Sequence, residues 1–234
     1  WVLSTDTGID VSVEGMDHQV ENDLGPFAQW AGLNGIARLS VGGETICQHQ
    51  APYLTFGKVR VPTPSRAFAQ ATPQGERALQ EAVGRALDGA DRVVDLFSGA
   101  GTLGLPLAEV ATLHCLENDE GLLKALAHGV RHTQGIKKVT TSVRDLYRNP
   151  IDHTDLTQFN AAIIDPPRAG AEQQVRQLAQ SNLCEIAMVS CNPVTFARDA
   201  NLLCVGGYTL KWVEVVDQFR WSPHIEIVAH FSRA

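Results

Sequence analysis

One stretch of the chain, Arg92-Val-Val-Asp-Leu-Phe-Ser-Gly-Ala-Gly-Thr-Leu-Gly104, decides the fold class. Its first six residues are of the kind that makes a strand buried on both faces of a sheet. The glycines that follow let the backbone turn tightly and pass close to a ligand, and a helix is predicted from about Thr102. Its N-terminal N–H groups would face that ligand. The stretch therefore predicts the first unit of a ligand-binding α/β sheet.

The alternation of strand and helix continues downstream. Strands are predicted at residues 112–117, 139–143, 160–165 and 185–190. Asp119 is placed to cap a helix that runs to about His132, and helical spacing follows the last two of these strands. Near-continuous apolar strands that alternate with helices predict a parallel sheet covered on both faces.

The C-terminal end departs from this rhythm. Two predicted strands, at residues 208–216 and 225–231, are separated by a short connection. Such a connection makes an antiparallel hairpin, because a parallel pair needs a crossover. Five parallel strand–helix units closed by a hairpin are typical of a class I S-adenosylmethionine-dependent methyltransferase, whereas a dinucleotide-binding Rossmann domain is usually parallel throughout. The predicted fold class is α/β and Rossmann-like, with a mostly parallel sheet closed by an antiparallel hairpin.

The N-terminal part has a different pattern. Short strands are predicted at residues 3–13, 36–41 and 44–49, and a helix around residues 21–31. Prolines at 62 and 64 mark a boundary, and the apolar spacing of residues 74–87 is helical. We therefore expect a small α+β accessory subdomain over residues 1–63 and the catalytic domain over residues 64–234.

The composition excludes several classes of protein. With 234 residues, 44% of them hydrophobic and 19% charged, the chain resembles an ordinary globular protein, and it has no apolar run long enough for a membrane span. Five cysteines without a CxxC pair fit a reducing cytoplasm better than a disulfide framework or a zinc site, so no metal is expected. The net charge of −7 argues against nucleic-acid binding through overall charge, although a local basic patch is compatible with it.

The glycine-rich turn carries the first set of candidate ligand-binding residues. Its GxGxxG spacing fits a dinucleotide as well as S-adenosylmethionine. Asp95, however, would face a diphosphate unfavourably and suits the ammonium and sulfonium groups of S-adenosylmethionine. Glu117 closes the next strand, where a carboxylate can accept both ribose hydroxyls of either cofactor. Asp145 closes the third strand, where it is either an adenine ligand or a solvated carboxylate.

Two further motifs lie at the same predicted sheet edge. Asp165-Pro-Pro-Arg168 follows the fourth strand, where prolines fix the backbone at the edge that binds ligands in open α/β sheets. Cys191 ends the fifth strand, and Pro193 begins the next helix. A buried cysteine is often only a small apolar residue. Here its place before a helix N-terminus is expected to favour the thiolate.

The C-terminal hairpin carries Glu226 between two isoleucines. Alternation along a strand points Glu226 to the face opposite theirs, and an outward, solvated glutamate is the ordinary interpretation. His224 is more often a structural hydrogen-bonding group than a base. Trp221 is as consistent with packing as with stacking on a nucleic-acid base.

Taken in order, these segments resemble the bacterial RNA 5-methyluridine (uracil-5-) methyltransferase family, whose best-known branches modify transfer RNA and large-subunit ribosomal RNA. The resemblance covers residues 64–233. It rests on the segments Phe68-Ala-Gln70, Asp95-Leu-Phe-Ser-Gly-Ala-Gly101, Leu116-Glu-Asn-Asp119, Asp165-Pro-Pro-Arg-Ala-Gly170, Ser190-Cys-Asn-Pro193 with Thr195-Phe-Ala-Arg-Asp199, and His224-Ile-Glu226.

The resemblance implies roles for particular residues. Cys191 would be the nucleophile that adds to uracil, and Glu226 would be the base. The implied S-adenosylmethionine site comprises Gln70, Asp95, Phe97, Gly99, Gly101, Thr102, Glu117, Asp145 and Asp165. Arg168, Arg198 and Arg220 are candidates for holding RNA. Thr102 departs from the asparagine that the family usually has there, although its hydroxyl can still form a hydrogen bond.

The expected partner is RNA, with ribosomal RNA preferred over transfer RNA on family resemblance, and neither a membrane nor an obligate protein partner is inferred. The family's N-terminal RNA-binding barrel is expected to lie outside this chain. In some branches an iron–sulfur cluster lies in that upstream region, so a cluster is expected only there. Three alternatives remain: methylation of another RNA base, a nicotinamide-dependent oxidoreductase, and a non-catalytic RNA-binding remnant.

Overall fold

The computed structural model describes residues 1–15, 24–219 and 221–233. The strands of these residues are β1 (Val2–Thr5), β2 (Gly8–Val13), β3 (Ile36–Val41), β4 (Glu44–Gln48), β5 (Tyr53–Phe56), β6 (Val59–Pro62), β7 (Arg92–Leu96), β8 (Thr112–Glu117), β9 (Val139–Val143), β10 (Ala161–Ile164), β11 (Glu185–Ser190), β12 (Thr209–Val216) and β13 (Glu226–Ser232). The helices are α1 (Gly25–Leu33), α2 (Pro73–Ala86), α3 (Glu120–Arg131), α4 (Glu172–Gln180) and α5 (Pro193–Val205).

A seven-stranded sheet with the order β12-β13-β11-β10-β7-β8-β9 forms the centre of the molecule. The strands from β7 to β11 are parallel to one another, and β13 lies antiparallel between β11 and β12. The predicted parallel sheet and its closing hairpin are therefore confirmed. The carboxyl ends of β7, β8, β10 and β11 meet at one edge, and the first residues of β13 reach the same edge.

The helix predicted from Thr102 is wrong. That connection is a loop followed by a short 3₁₀ turn, Leu105–Glu109. Gly99 and Gly101, with φ values of 54° and 90°, turn the chain before this point, and Pro106 lacks the backbone N–H that a helix begun at Thr102 would need there. The connection from β9 to β10 likewise contains only a 3₁₀ turn, Asp155–Gln158. No α-helix N-terminus therefore faces the ligand from the glycine-rich segment.

Other predicted helices are confirmed with small changes in their bounds. Thr72 caps α2 by accepting a 3.0 Å hydrogen bond from the Gly75 N–H. Asp119 caps α3 as expected, accepting hydrogen bonds from the backbone of Gly121 and Leu122. The helix expected at residues 21–31 is α1, Gly25–Leu33, and residues 21–23 lie outside the described part of the chain.

The N-terminal part forms its own four-stranded sheet in the order β1-β2-β3-β4. The strand expected over residues 3–13 is two strands, since Asp6 and Thr7 form a turn between β1 and β2. The β5–β6 hairpin packs elsewhere: Phe56, Val59 and Val61 are buried in the same apolar cluster as α2 and one face of the large sheet. The expected division at residue 63 remains a prediction, and this packing favours a boundary before β5.

None of the described helices has the length and apolar character needed to cross a membrane. The same residues contain no group of three or more His, Cys, Asp or Glu side chains arranged to hold a metal ion. All five cysteines are free thiols.

Candidate active site

A cavity of about 580 Å³ opens at the carboxyl edge of the large sheet. It is lined by both candidate catalytic residues, Cys191 and Glu226, and by Arg168. The candidate cofactor residues that also line it are Gln70, Asp95, Phe97, Gly99, Thr102, Glu117, Asp145 and Asp165. Residues far apart in the sequence thus converge on one site, and its volume is that of a small-molecule pocket.

Asp95 lies in the middle of the sheet with 1% of its surface exposed. Its Oδ2 has no hydrogen-bond partner among the described residues, and a Cβ at position 104 would collide with that oxygen, so Gly104 makes room for it. Burial raises the pKa of the Asp95 carboxyl to about 8, and the carboxylates of Asp165 and Glu117 add to the rise. A buried, unpartnered carboxyl group at the cavity wall fits a ligand with a cationic group.

Glu117 holds the glycine-rich loop in place. Its carboxylate accepts hydrogen bonds from the backbone N–H groups of Gly99 (3.0 Å), Asn118 (2.7 Å) and Asp119 (3.1 Å). Each carboxylate oxygen has two lone pairs, so the group retains acceptor capacity toward the cavity. Glu117 therefore fixes the loop, and its predicted role as an acceptor for ligand hydroxyls is compatible with these bonds.

The opposite wall of the cofactor part is aromatic and acidic. Phe97 has a φ of 62°, which is uncommon for a residue with a side chain, and its ring packs against Tyr147 at 5.4 Å between centroids. Asp145 accepts hydrogen bonds from the backbone of Tyr147 and Arg148. Tyr147 lines the cavity but carried no signal in the sequence, because it follows the strand-end acid in a polar segment.

Gly101 does not line the cavity. A side chain at this position would collide with Leu105 and press against Leu126, and the φ of 90° also favours glycine. The structure therefore gives Gly101 a role in packing the loop, and its contact with the cofactor remains a prediction.

Cys191 directly follows β11 and Glu226 is the first residue of β13, so both lie at the same end of the ladder that pairs these strands. The antiparallel ladder between β11 and β13 ends at the pair Ser190 and Ile227, and Cys191 and Glu226 are the next residues beyond it. Directly opposed residues in such a ladder have Cα atoms about 4.5–5.5 Å apart. The strand register thus brings the candidate nucleophile and the candidate base side by side.

Glu226 is buried, with 8% of its surface exposed, so the interpretation as an outward, solvated glutamate is wrong. The face to which it points is covered by the cavity walls. Burial raises the pKa of the Glu226 carboxyl, and Arg168 partly offsets the rise. Burial and the charge of Glu226 together raise the pKa of Asp165 to about 7.

The expectation that the helix N-terminus favours a Cys191 thiolate is also wrong for the structure without ligands. The pKa of the thiol is raised, first by burial and then by the carboxylates of Glu226 and Asp165, whereas Arg168 lowers it. Cys191 precedes Asn192, the N-cap of α5, so it lies just outside the helix. Burial and the two nearby carboxylates both disfavour the thiolate.

The candidate RNA-binding arginines differ in their surroundings. Arg168 is exposed, lines the cavity and lies 2.8 Å from His224, a contact that favours the structural interpretation of His224. Arg198 lies outside the cavity lining, where it donates to Asp199 (2.8 Å) and to the carbonyl of Ala169 (3.2 Å). Arg220 lies outside the described residues. Trp221 is fully exposed, so the packing interpretation does not apply to it.

Hydrogen bonds that the sequence did not predict join two of the motifs. Asn192 and Thr195, at the start of α5, both donate hydrogen bonds to the carbonyl oxygen of Arg168. Buried Asp199, one turn further on, accepts one from the N–H of Ala171. These contacts tie the Asp165–Gly170 loop to the helix that follows Cys191. Their signal in the sequence is the Thr195–Asp199 segment, in which Arg198 alone has a predicted role.

The architecture places the chain in a class of proteins. A parallel sheet with an inserted antiparallel last strand, and a cavity at its carboxyl edge, define the class I S-adenosylmethionine-dependent methyltransferase fold. The chain superposes on the tRNA (uracil-54, C5)-methyltransferase of Pyrococcus abyssi in complex with S-adenosyl-L-homocysteine with a TM-score of 0.77 and 22% identity, covering 98% of this chain and 58% of that chain. For Pyrococcus horikoshii TYW2 in complex with MeSAdo the TM-score is 0.63, with 14% identity, covering 99% and 90%.

The chain belongs to the RNA (uracil-5-)-methyltransferase family. Residues 131–234 match the family model described as tRNA (Uracil-5-)-methyltransferase. The chain is 42% identical over 229 residues to an uncharacterized RNA methyltransferase of Agrobacterium fabrum, covering 97% of this chain and 55% of that protein. It is 37% identical over 152 residues to the 23S rRNA (uracil(1939)-C(5))-methyltransferase of Psychrobacter arcticus, covering 63% and 30%. The chain spans about half the length of the first of these relatives.

Proposed function

We propose that the chain transfers a methyl group from S-adenosylmethionine to carbon 5 of a uridine in RNA, through a covalent bond between Cys191 and the base. The adjacency of Cys191 and Glu226 at the end of the β11–β13 ladder carries the proposal, because both side chains line the cavity that Asp95 also lines. The resemblance of the motifs and the family membership support the choice of uracil.

S-adenosylmethionine supplies an electrophilic methyl group on a positively charged sulfur. Asp95 and Asp165 would hold its cationic groups, since both carboxyl groups line the cavity and neither has a cationic partner among the described ion pairs. Glu117 would accept from the ribose hydroxyls, and Asp145 would reach the adenine. A nicotinamide cofactor would not explain the closing hairpin or the Cys191–Glu226 pair, so the oxidoreductase alternative is not favoured.

Carbon 5 of uracil is too weak a nucleophile to take a methyl group directly. After the Cys191 thiol has lost its proton to solvent, the sulfur would add as a thiolate to carbon 6, which places electron density on carbon 5. After carbon 5 gains the methyl group, Glu226 would take the remaining proton from carbon 5. The sulfur–carbon 6 bond then breaks, the 5,6 double bond re-forms, and Cys191 leaves as a thiolate. Each bond made to sulfur is thus broken again, and the enzyme returns to its starting state apart from the proton on Glu226.

The uridine has to leave its base stack to reach this cavity, because Cys191 lies below the surface at the edge of the sheet. We expect a flipped nucleotide in a loop or an opened helix. Arg168 is exposed at the cavity and is placed to contact the phosphate next to that nucleotide.

Ribosomal RNA remains the preferred substrate in this proposal, with transfer RNA as the alternative. The relative from Psychrobacter arcticus is named for 23S rRNA, whereas the family model and the Pyrococcus abyssi structure are named for tRNA. A cytoplasmic location, the lack of an obligate protein partner, and the catalytic-domain boundary are further parts of the proposal.

The decisive experiment is trapping on RNA that contains 5-fluorouridine. Fluorine cannot be removed as a proton, so the last step stalls and a denaturation-resistant protein–RNA adduct should accumulate with the parent chain. Cys191→Ala should form none, whereas Cys204→Ala, which changes an exposed cysteine on α5, should match the parent. Glu226→Gln should form an adduct even on unmodified RNA.

The same assay separates the substrates. Fluorinated ribosomal RNA and fluorinated transfer RNA are compared at equal concentration, and faster adduct formation identifies the RNA type. If S-adenosylmethionine binds but neither RNA is trapped, carbon 5 of uracil is the wrong target.

A further inference from the structure

A second groove, of about 540 Å³, lies between the β5–β6 hairpin and the C-terminal end of α3. Its cationic and aromatic side chains define what we call the basic groove: Tyr53, Lys58, Arg60, His128 and His132. The two elements approach closely because Gly129 faces the backbone of Arg60, where a side chain would collide with the carbonyl oxygen. The groove is therefore a fixed feature of the packing.

The surroundings of the basic groove carry the opposite charge to the chain as a whole. Residues 121–144 contain no Asp or Glu, although the chain has a net charge of −7. Arg131, Lys137 and Lys138 are exposed in this segment. Among the described residues, one carboxylate forms an ion pair with a cation of the groove: Glu109 pairs with Lys58. A local positive surface thus persists on an acidic protein.

Arg60 is held in a definite position. Its guanidinium carbon lies 3.7 Å from the centroid of the Tyr53 ring. Stacking on an aromatic face fixes the plane of the guanidinium and leaves its N–H groups free at the edge. A fixed planar fork of donors is the arrangement that matches phosphate oxygens.

The position of the groove relates it to the cavity. α3 begins after Asp119, close to Glu117 in the cofactor part of the cavity, and its 12 residues end at the basic groove. At about 1.5 Å per residue the helix covers about 18 Å. An RNA with its target uridine in the cavity would extend over that distance within about five nucleotides.

We propose that the basic groove binds the sugar-phosphate backbone of the RNA substrate, several nucleotides away from the uridine that enters the cavity. This inference rests on the proposed function, since it takes RNA as the substrate. Phosphate contacts carry no sequence information, so the groove adds affinity and orientation while the cavity selects the base. It also explains how an acidic chain can bind RNA.

The test compares two variants of the full chain that lose the same charge. Lys58→Gln/Arg60→Gln neutralises two exposed cations of the groove, and Arg176→Gln/Lys211→Gln neutralises two exposed cations elsewhere. Lys211 lies on β12, at the opposite edge of the sheet from β9. The dissociation constant of an oligouridylate of about 20 nucleotides is measured against salt concentration, because the salt slope counts phosphate contacts.

The groove variant should bind the oligouridylate at least about tenfold more weakly at low salt, and its salt slope should fall by about 0.7 for each lost contact. The control variant should keep the slope of the parent chain, and S-adenosylmethionine affinity should be the same in all three. Equal slopes for the groove and control variants would overturn the proposal. So would competition by polyglutamate as strong as that by RNA, because it would assign the groove to an acidic protein.

This readout is independent of the reaction. A parent chain that binds RNA through the groove but forms no adduct with 5-fluorouridine would refute the uracil proposal and leave the groove assignment intact. If the parent chain forms the adduct but the groove variant keeps the salt slope of the parent, the groove assignment is refuted and the uracil proposal stands.

Discussion

Gln218 donates a 2.8 Å hydrogen bond from its Nε2 to the Oε1 of Gln70. Gln218 is buried beside α2, and Gln70 lines the cavity. Because the Oε1 of Gln70 is engaged, its amide NH₂ group remains available as a donor to a ligand. Gln218 therefore acts on the site through Gln70, without lining the cavity itself.

Gln218→Leu should lower kcat/KM about tenfold, since Gln70 loses its fixed orientation. The Oε1 of Gln218 has no hydrogen-bond partner among the described residues, so replacing it with an apolar group should leave the melting temperature unchanged or raise it. Gln180→Leu, at the exposed end of α4, is the control for a change of the same kind. Parallel losses of stability and activity in Gln218→Leu would contradict the positioning role. Gly75→Ala, which displaces Gln218, should mimic its loss of activity.

Binding of S-adenosylmethionine should release a proton. The Asp95 carboxyl has a pKa of about 8, so it is protonated below that pH, whereas a cationic ligand favours its ionised form. Affinity should therefore rise with pH and level off above about pH 8. Calorimetry in buffers of different ionisation enthalpy measures the released proton directly. Asp95→Asn should bind weakly, and its affinity should level off at about pH 7, where Asp165 ionises, whereas Asp145→Asn should keep the profile of the parent chain. Affinity of the parent chain that stays constant between about pH 6 and pH 9 would refute the assignment.

Alkylation of the ligand-free chain tests the surroundings of Cys191. Its thiol pKa is raised by burial and by Glu226 and is lowered by Arg168. At about pH 8, Glu226→Gln should therefore speed the reaction of Cys191 with iodoacetamide, and Arg168→Gln should slow it. Mass spectrometry resolves the modified peptides, and exposed Cys204 serves as an internal control whose rate should not change. Slower alkylation in Glu226→Gln would contradict the electrostatic interpretation.

Arg198 and Asp199 should affect stability very differently. Asp199→Ala leaves the buried N–H of Ala171 without its acceptor and should lower the free energy of unfolding by about 1–3 kcal/mol. Arg198 is partly exposed, so Arg198→Ala should cost less than about 1 kcal/mol. Denaturant unfolding measures both. If Arg198→Ala also weakens RNA binding as much as Arg168→Ala does, Arg198 is an RNA contact after all.

The sequence predicted most of the scaffold and the cavity because both follow from local patterns. Strands β7, β8, β10 and β11 were visible as largely apolar runs, and the motifs at their ends meet because parallel strands end at one edge. The prediction of a helix from Thr102 was wrong because apolar spacing does not reveal the φ values of glycines. Alternation showed the face of Glu226, but its burial depends on distant segments that cover that face.

The sequence could not predict the raised thiol pKa of Cys191 or the hydrogen bond from Gln218 to Gln70, for a related reason. The pKa of Cys191 depends on its burial and on its distances from carboxylates at the ends of β10 and β13. Gln218 lies in a polar segment after β12, and its partner is 148 positions away in the chain. No spacing rule connects such residues.

The crowding of Asp95, Asp165 and Glu226 at one cavity has a consequence for turnover. These carboxyl groups favour a positively charged occupant, and the sulfur of the cofactor loses its positive charge when the methyl group leaves. The attraction that holds the cofactor before the reaction should therefore be weaker afterwards, and we expect the spent cofactor to be released more readily than the fresh one. The acidic wall would thus limit inhibition of the enzyme by its own product.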